Sequence, residues 1–255
     1  MISSKQSKLL EDLIMKYGQV VTAQQIFSET SDFSRHGQAE YLIASLVKQG
    51  WLMRIKKGLY AISDLSTRGF LSLSSYTVAN LLVKDSYVSF ESALHYYGMF
   101  DQFTSKIISI SIKRYKKVQL QNIEYSYITT KADYYFGWQV VNIDGKIARV
   151  AMAEKALIDI VNFHKSLYAI DLVVEKLRDH RNDLDLARIN EYVGKFSMTT
   201  IKIFGLIFDF LKIDSSQLLK IAKEAHGAHR MIASAKVYNA KWRLYYDSYF
   251  DKYKS

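Results

Sequence analysis

Between Tyr41 and Ser63 the chain carries four bases, Lys48, Arg54, Lys56 and Lys57, and no acid. Immediately upstream stand Arg35, His36, Gln38 and Tyr41, with Ser45 one helical turn further on. Lysine and arginine at this density neutralise phosphate oxygens, whereas arginine, histidine, glutamine and tyrosine side chains hydrogen-bond the edges of bases. The chemistry on offer is nucleic-acid binding. Arg35, His36, Gln38 and Tyr41 are the candidates for base reading, Ser45 and Lys48 continue their face, and Arg54, Lys56 and Lys57 are the candidates for phosphate. Glu40 stands beside that face and argues for protein contact instead.

Bond-breaking chemistry has thinner support. His226 and His229 are spaced i, i+3, but no carboxylate or third histidine has matching local spacing, so surface or packing roles are expected of them. Glu91 and His95 lie one helical turn apart, which is common by chance. Glu91, Glu154 and Asp159 are expected to cap helices and form salt bridges. None of the 11 glycines is followed by serine, so the Gly-Ser signature of a nucleotidyltransferase is missing, as are G-x-S-x-G and the P-loop. No catalytic residue, metal or cofactor is expected.

The elements that must position these side chains follow from periodicity. Ala39, Leu42, Ile43, Leu46 and Val47 fall at helical spacing and predict one buried stripe, and Gly50 stops that helix. Trp51, Met53 and Ile55 then alternate with Leu52, Arg54 and Lys56, and Leu59 to Ile62 reads as the returning strand, which makes Lys57-Gly58 a tight turn. Upstream, Leu9, Leu10, Leu13, Ile14 and Tyr17 share one face of a helix closed by Gly18. Thr22 to Gln25 is a capping box with Val21 and Ile26 as its hydrophobic staple. Three short helices and a basic hairpin within residues 1–62 are the order of a winged helix-turn-helix, whose third helix enters the major groove.

Ser63 to Ser75 reads as a linker or a loosely packed connection. Beyond it, 75–82 is helical, 86–99 is a short strand leading into a helix bearing Ala93, Leu94 and Tyr97, and strands follow at 106–112, 122–130 and 138–150. Asp144-Gly145 marks a type I′ hairpin in the last of these. The helix after it, to Phe163, turns Ala153, Ala156, Leu157 and Ile160 inward. From Tyr168 on the chain reads as helical. Its last helix is expected to carry Met231, Ala235, Tyr238, Trp242, Tyr246 and Tyr249 on one stripe, with His229, Arg230, Lys236, Lys241 and Arg243 opposite. The fold class expected is α+β, with an N-terminal winged helix-turn-helix over 1–66, an α+β middle domain over 75–165 and a helical C-terminal part over 166–255.

Composition sets outer limits. At 255 residues, 49% of them apolar, the chain is long enough for two or three ordinary cores. The lack of cysteine excludes disulfides, thiolate metal sites and a cysteine nucleophile, and suits a reducing cytoplasm. No apolar run approaches the ~18 residues of a membrane span, and the charged amphipathic N-terminus lacks the apolar core of a signal peptide. The formal net charge of +10 is concentrated in three acid-free stretches, 41–63, 102–123 and 225–246, which leaves the remainder net acidic. Such clustering points to a polyanionic partner. Lys113, Arg114, Lys116 and Lys117 in the second stretch, with Arg230, Lys236, Lys241 and Arg243 in the third, form a candidate secondary basic surface for phosphate or an acidic partner. Tyr125, Tyr127, Tyr134, Tyr135, Phe136 and Trp138 offer rings that stack RNA bases or fill a core.

One arrangement is more specific than composition. A winged helix ending in a base before Gly58-Leu-Tyr-Ala-Ile62 is followed by Tyr87-Val-Ser-Phe-Glu-Ser-Ala-Leu94, a basic strand, a hairpin and Ala153-Glu-Lys-Ala-Leu-Ile-Asp159. Over Leu9 to Phe163 this order resembles the AbiEi-type antitoxins, transcriptional regulators of abortive-infection, type IV toxin-antitoxin systems. The resemblance implies an antitoxin that binds double-stranded operator DNA, represses its own operon and counters a nucleotidyltransferase-like toxin through the rest of the chain. Its DNA contacts fall on Arg35, His36, Gln38, Tyr41, Arg54, Lys56 and Lys57. Two alternatives stay open: a protein-interaction module that neutralises a toxin by direct contact, and a stand-alone winged-helix transcriptional or RNA-binding regulator.

Overall fold

The computed structural model describes residues 2–30, 36–63, 73–102 and 105–254, without the side chains of His36 and Gly37. Local chemistry sets the first elements. Ser3 and Gln6 form a capping box that starts α1 (Ser4–Tyr17). After β1 (Val20–Thr22), a second box starts α2 (Ala23–Glu29): Gln25 N–H donates to Thr22 Oγ1 at 3.2 Å and Thr22 N–H to Gln25 Oε1 at 2.7 Å. Val21 and Ile26, the staple pair, are both fully buried. On α1, Leu9, Leu10 and Leu13 are buried as their spacing predicts. Ile14 and Tyr17 of the expected stripe stand at its rim, Tyr17 donating its hydroxyl to Glu29 at 3.0 Å.

α3 (His36–Lys48) is followed by the hairpin β2 (Leu52–Lys56) and β3 (Leu59–Ile62), and the sheet order is β1-β3-β2, all antiparallel. Leu42, Ile43 and Leu46 close with Leu13, Ile26 and Leu52 into a first core. This is a winged helix-turn-helix. The expected linker falls mostly at 64–72, outside the described residues.

α4 (Ser75–Leu82), β4 (Ser86–Val88), α5 (Phe90–Tyr96), β5 (Lys106–Ser111), β6 (Val118–Leu120), β7 (Ile123–Thr129), β8 (Trp138–Ile143) and β9 (Lys146–Ala151) build a six-stranded mixed sheet in the order β6-β7-β5-β4-β9-β8. β5 and β7 run parallel because β6 turns back outside β7. In the β8–β9 turn, Asp144 and Gly145 have φ of 51° and 73°, as a type I′ turn requires. α6 (Ala153–Phe163) is buried from Ala153 to Val161, charged residues included. It packs against α5 and against α7 (Leu167–Asp179), α8 (Leu186–Val193) and α9 (Met198–Phe210). Buried side chains from the middle and the C-terminal parts therefore form one continuous core.

The C-terminal part is helical through α10 (Ser216–Lys223), and there the expectation fails. The helix expected over Met231 to Tyr249 is instead a small sheet of β10 (His229–Arg230), β11 (Val237–Asn239) and β12 (Leu244–Tyr246), followed by a 3₁₀ turn over Ser248–Tyr253. Asn239 closes the β11–β12 turn by accepting Trp242 N–H on its side-chain oxygen at 3.1 Å, and Arg243 takes φ of 47°, neither of which the interior of a helix permits. Met231, Ala235, Trp242 and Tyr246 are buried as expected, whereas Tyr238 and Tyr249 are exposed over somewhat less than half of their surface. A spacing of three and four here reflects turn lengths.

Candidate nucleic-acid interface

The exposed side of α3 is set by its termination. Gly50, at φ of 79°, lets Trp51 N–H reach the Leu46 carbonyl at 2.9 Å while Gly50 N–H reaches that of Val47 at 3.1 Å, a Schellman closure that pins the helix to the wing. With Ala39, Leu42, Ile43 and Leu46 buried, Gln38, Tyr41 and Lys48 are left facing solvent. Tyr41 is 79% exposed, far more than a core aromatic, and its ring and hydroxyl are free to meet a partner. Ser45 is half-buried and accepts Gln49 Nε2 at 2.9 Å. Arg35 lies outside the described residues, and His36 opens the helix with its side chain undescribed.

The wing divides its bases. Arg54 pairs with Tyr60 and Lys56 with Leu59, leaving Ile55 as the extra residue of a β-bulge. Ile55 and Ala61 turn into the core of the body while Leu52 and Ile62 turn into that of the winged helix, so these four positions bury the hairpin against both cores and leave its bases outside. Arg54 and Lys57 join Lys48 around one groove of about 580 Å³ between α3 and the hairpin, floored by Phe27, Ile43 and Tyr60. None of these three bases forms an ion pair among the described residues. Glu40 lines the same groove. Lys56 leaves this group, donating its ammonium to the Leu82 carbonyl at the end of α4, 3.1 Å away. Tyr60 and Phe27 are the groove residues that sequence reasoning missed. The cross-strand pairing of Tyr60 with Arg54 was the only available signal, and the bulge obscured it.

The other candidates separate in the same way. Lys113, Arg114 and Lys116 are exposed after β5, while Lys117 is held by Glu124 at 2.8 Å. Arg230 donates to the Ala235 carbonyl at 2.5 Å and covers the Tyr245 ring, Lys241 is paired with Asp209 at 2.7 Å, and Lys236 and Arg243 are exposed. Glu154 accepts Asp185 N–H and Arg188, and Asp159 is fully buried with Lys155 and the Ser89 hydroxyl. His95 bonds the Tyr76 hydroxyl at 3.0 Å, and His229 bonds Lys202 at 3.0 Å. Among the described residues no group of three or more His, Asp or Glu is arranged to hold a metal ion. Of the aromatics over 125–138, Tyr125 is buried and the others are half-buried against further rings: Tyr134 stacks on Phe196, Phe136 meets Tyr192, and Trp138 stacks on Tyr87.

Residues 8–63, the winged helix, match the family of transcriptional regulators described as AbiEi antitoxin. That likeness supports a DNA-binding regulator of the antitoxin class, and it covers a shorter stretch than the resemblance read from the sequence. The crystal structure of the RV2827C protein from Mycobacterium tuberculosis is similar to this chain with a TM-score of 0.66 at 14% identity, over 96% of this chain and 92% of that one. At that identity the likeness is one of fold. No curated protein matches the sequence. Among the described residues no helix is long and apolar enough to cross a membrane.

Proposed function

We propose that this chain is an autorepressor that binds operator DNA through α3 and the wing, and an antitoxin that counters a nucleotidyltransferase-like toxin through the remainder. The unit that binds DNA is residues 1–66, with 75–165 and 166–255 as the antitoxin portion. The observation that carries the DNA half is the convergence of Lys48, Arg54 and Lys57 around one groove, lined by a helix that also exposes Gln38 and Tyr41. Bases grouped on a winged helix bind phosphates beside the major groove while the helix face meets base edges. The match of residues 8–63 to the antitoxin regulators supports the toxin half. Glu40 in the same groove favours one competing reading, a protein-contact module whose winged helix does not bind DNA.

A reporter fused to the chain's own upstream DNA, run alongside a toxin-rescue assay, separates the two. Arg54→Ala with Lys57→Ala is expected to release the reporter while rescue from the toxin persists. Rescue that disappears together with repression, from a protein that still folds, assigns the groove to the toxin.

A further inference from the structure

The groove between α3 and the wing is built from two materials, and phosphate contacts use only one of them. Lys48, Arg54 and Lys57 line it as exposed bases, with Glu40 among them. The rest of its lining is carbon: Phe27, Ile43, Val47 and Tyr60, with Ala23 and Ala44. Phe27, Val47 and Tyr60 are half-buried against the winged-helix core, and each also lines the groove. Across the hairpin Arg54 is the register partner of Tyr60, so a guanidinium and a ring share one face of the strands. On α3, Ala44 and Lys48 are one turn apart, which repeats the juxtaposition of carbon and charge on the helix wall. Glu40 is two turns before Lys48, about 12 Å along the axis, so the Lys48 end of that wall is left positive.

Phosphate oxygens satisfy the bases and bury no carbon, whereas a molecule with an apolar body behind its charge matches both materials. The dimensions favour a small one. At about 580 Å³ the groove falls within the roughly 300–1,000 Å³ of small-ligand sites. Its lining is confined to the winged helix, between Ala23 and Tyr60, a smaller surface than the ~20–30 residues a side of a stable protein interface.

We propose that this groove binds a small amphipathic anion, a single carboxylate on an aromatic or acyl body, and that the bound ligand excludes DNA. The carboxylate pairs with Lys48 and Arg54, which form no ion pair among the described residues, and the body covers Phe27, Val47 and Tyr60. Neutralising these bases removes the charge that would hold phosphate, so ligand and duplex each weaken the other's binding. The ligand site stands on the groove itself, while the competition rests on the proposed DNA binding.

The test is a calorimetric titration of the full chain with naphthoate, compared with acetate, which has the charge without the body, and naphthalene methanol, which has the body without the charge. Saturable one-site binding is expected for naphthoate alone. Lys48→Gln with Arg54→Gln is expected to weaken it about tenfold, and Ala44→Phe, at an exposed position, to abolish it by filling the groove. Fluorescence anisotropy of labelled upstream DNA reads the competition: naphthoate is expected to raise the apparent Kd for the duplex in step with its own occupancy. No saturable naphthoate binding, equal binding of naphthalene methanol, or binding unchanged by Ala44→Phe would overturn the ligand site. A duplex that stays bound at saturating naphthoate would overturn the competition. Saturable naphthoate binding by a chain that does not hold its upstream DNA would uphold the ligand site and contradict the proposed DNA binding.

Discussion

Lys56 reaches from the wing to the carbonyl of Leu82 at the end of α4, so one of the hairpin's three bases ties the winged helix to the body. Lys57, its neighbour in the turn, lines the groove beside α3. The two lysines are therefore expected to behave differently. Lys57→Ala lowers DNA affinity and flattens the salt dependence by about 0.9 in log–log slope, because one phosphate is no longer neutralised. Lys56→Ala leaves that slope unchanged, and it increases hydrogen exchange where the hairpin meets α4. Equal slopes for the two variants contradict this division.

Glu40 opposes Lys48, Arg54 and Lys57 within their groove. A carboxylate near phosphate is repulsive, so Glu40→Gln is expected to strengthen binding to any duplex a few-fold, with the gain shrinking as salt rises. Equilibrium titration by fluorescence anisotropy at two salt concentrations measures it, and weaker binding by the variant speaks for the protein-contact reading.

The Lys155–Asp159 pair is fully buried at the centre of α6, with Tyr87 and Ser89 completing its hydrogen bonds. Burial pushes the Lys155 ammonium down and the Asp159 carboxyl up, each opposed by the partner's charge. Removing one partner strands the other, so Asp159→Ala is expected to cost about 3–5 kcal/mol in denaturant unfolding. Lys155→Met with Asp159→Leu is expected to recover most of that loss. A double variant no better than the single one means that the network, rather than uncompensated charge, sets the cost.

Gly205 of α9 lies under the indole of Trp242, where an added Cβ would collide with the ring. The ring is held in place by Asp209, which accepts its Nε1–H at 2.6 Å. Gly205→Ala is expected to displace the indole and open the small C-terminal sheet, read as a red-shifted tryptophan emission, and Trp242→Leu to restore stability in that background. An unshifted emission from Gly205→Ala contradicts this close packing.

What was legible in the sequence was local. The Thr22 box, the Gly50 stop and the Asp144-Gly145 turn each depend on side chains within a few residues, and each forms as its sequence predicts. The face of α3 was legible for the same reason. What was not legible depended on partners far along the chain. Lys56 leaves the groove because Ile55 bulges and α4 presents a carbonyl, and the parallel pairing of β5 with β7 depends on where β6 folds back. The stretch from Met231 to Tyr249 had helical spacing, but Trp242 is anchored on α9 by Gly205 and Asp209, neighbours that no local period encodes.

The most direct test is a mobility-shift titration of the purified chain on its own upstream DNA, with an unrelated duplex as competitor, for the wild type and for Arg54→Ala with Lys57→Ala. Specific wild-type binding is predicted, weakened in the variant on both duplexes and with a salt slope shallower by about 1.8, because two phosphates are no longer neutralised. Equal weak binding of the wild type to both duplexes, or a variant indistinguishable from it, would contradict the assignment of α3 and the wing to DNA.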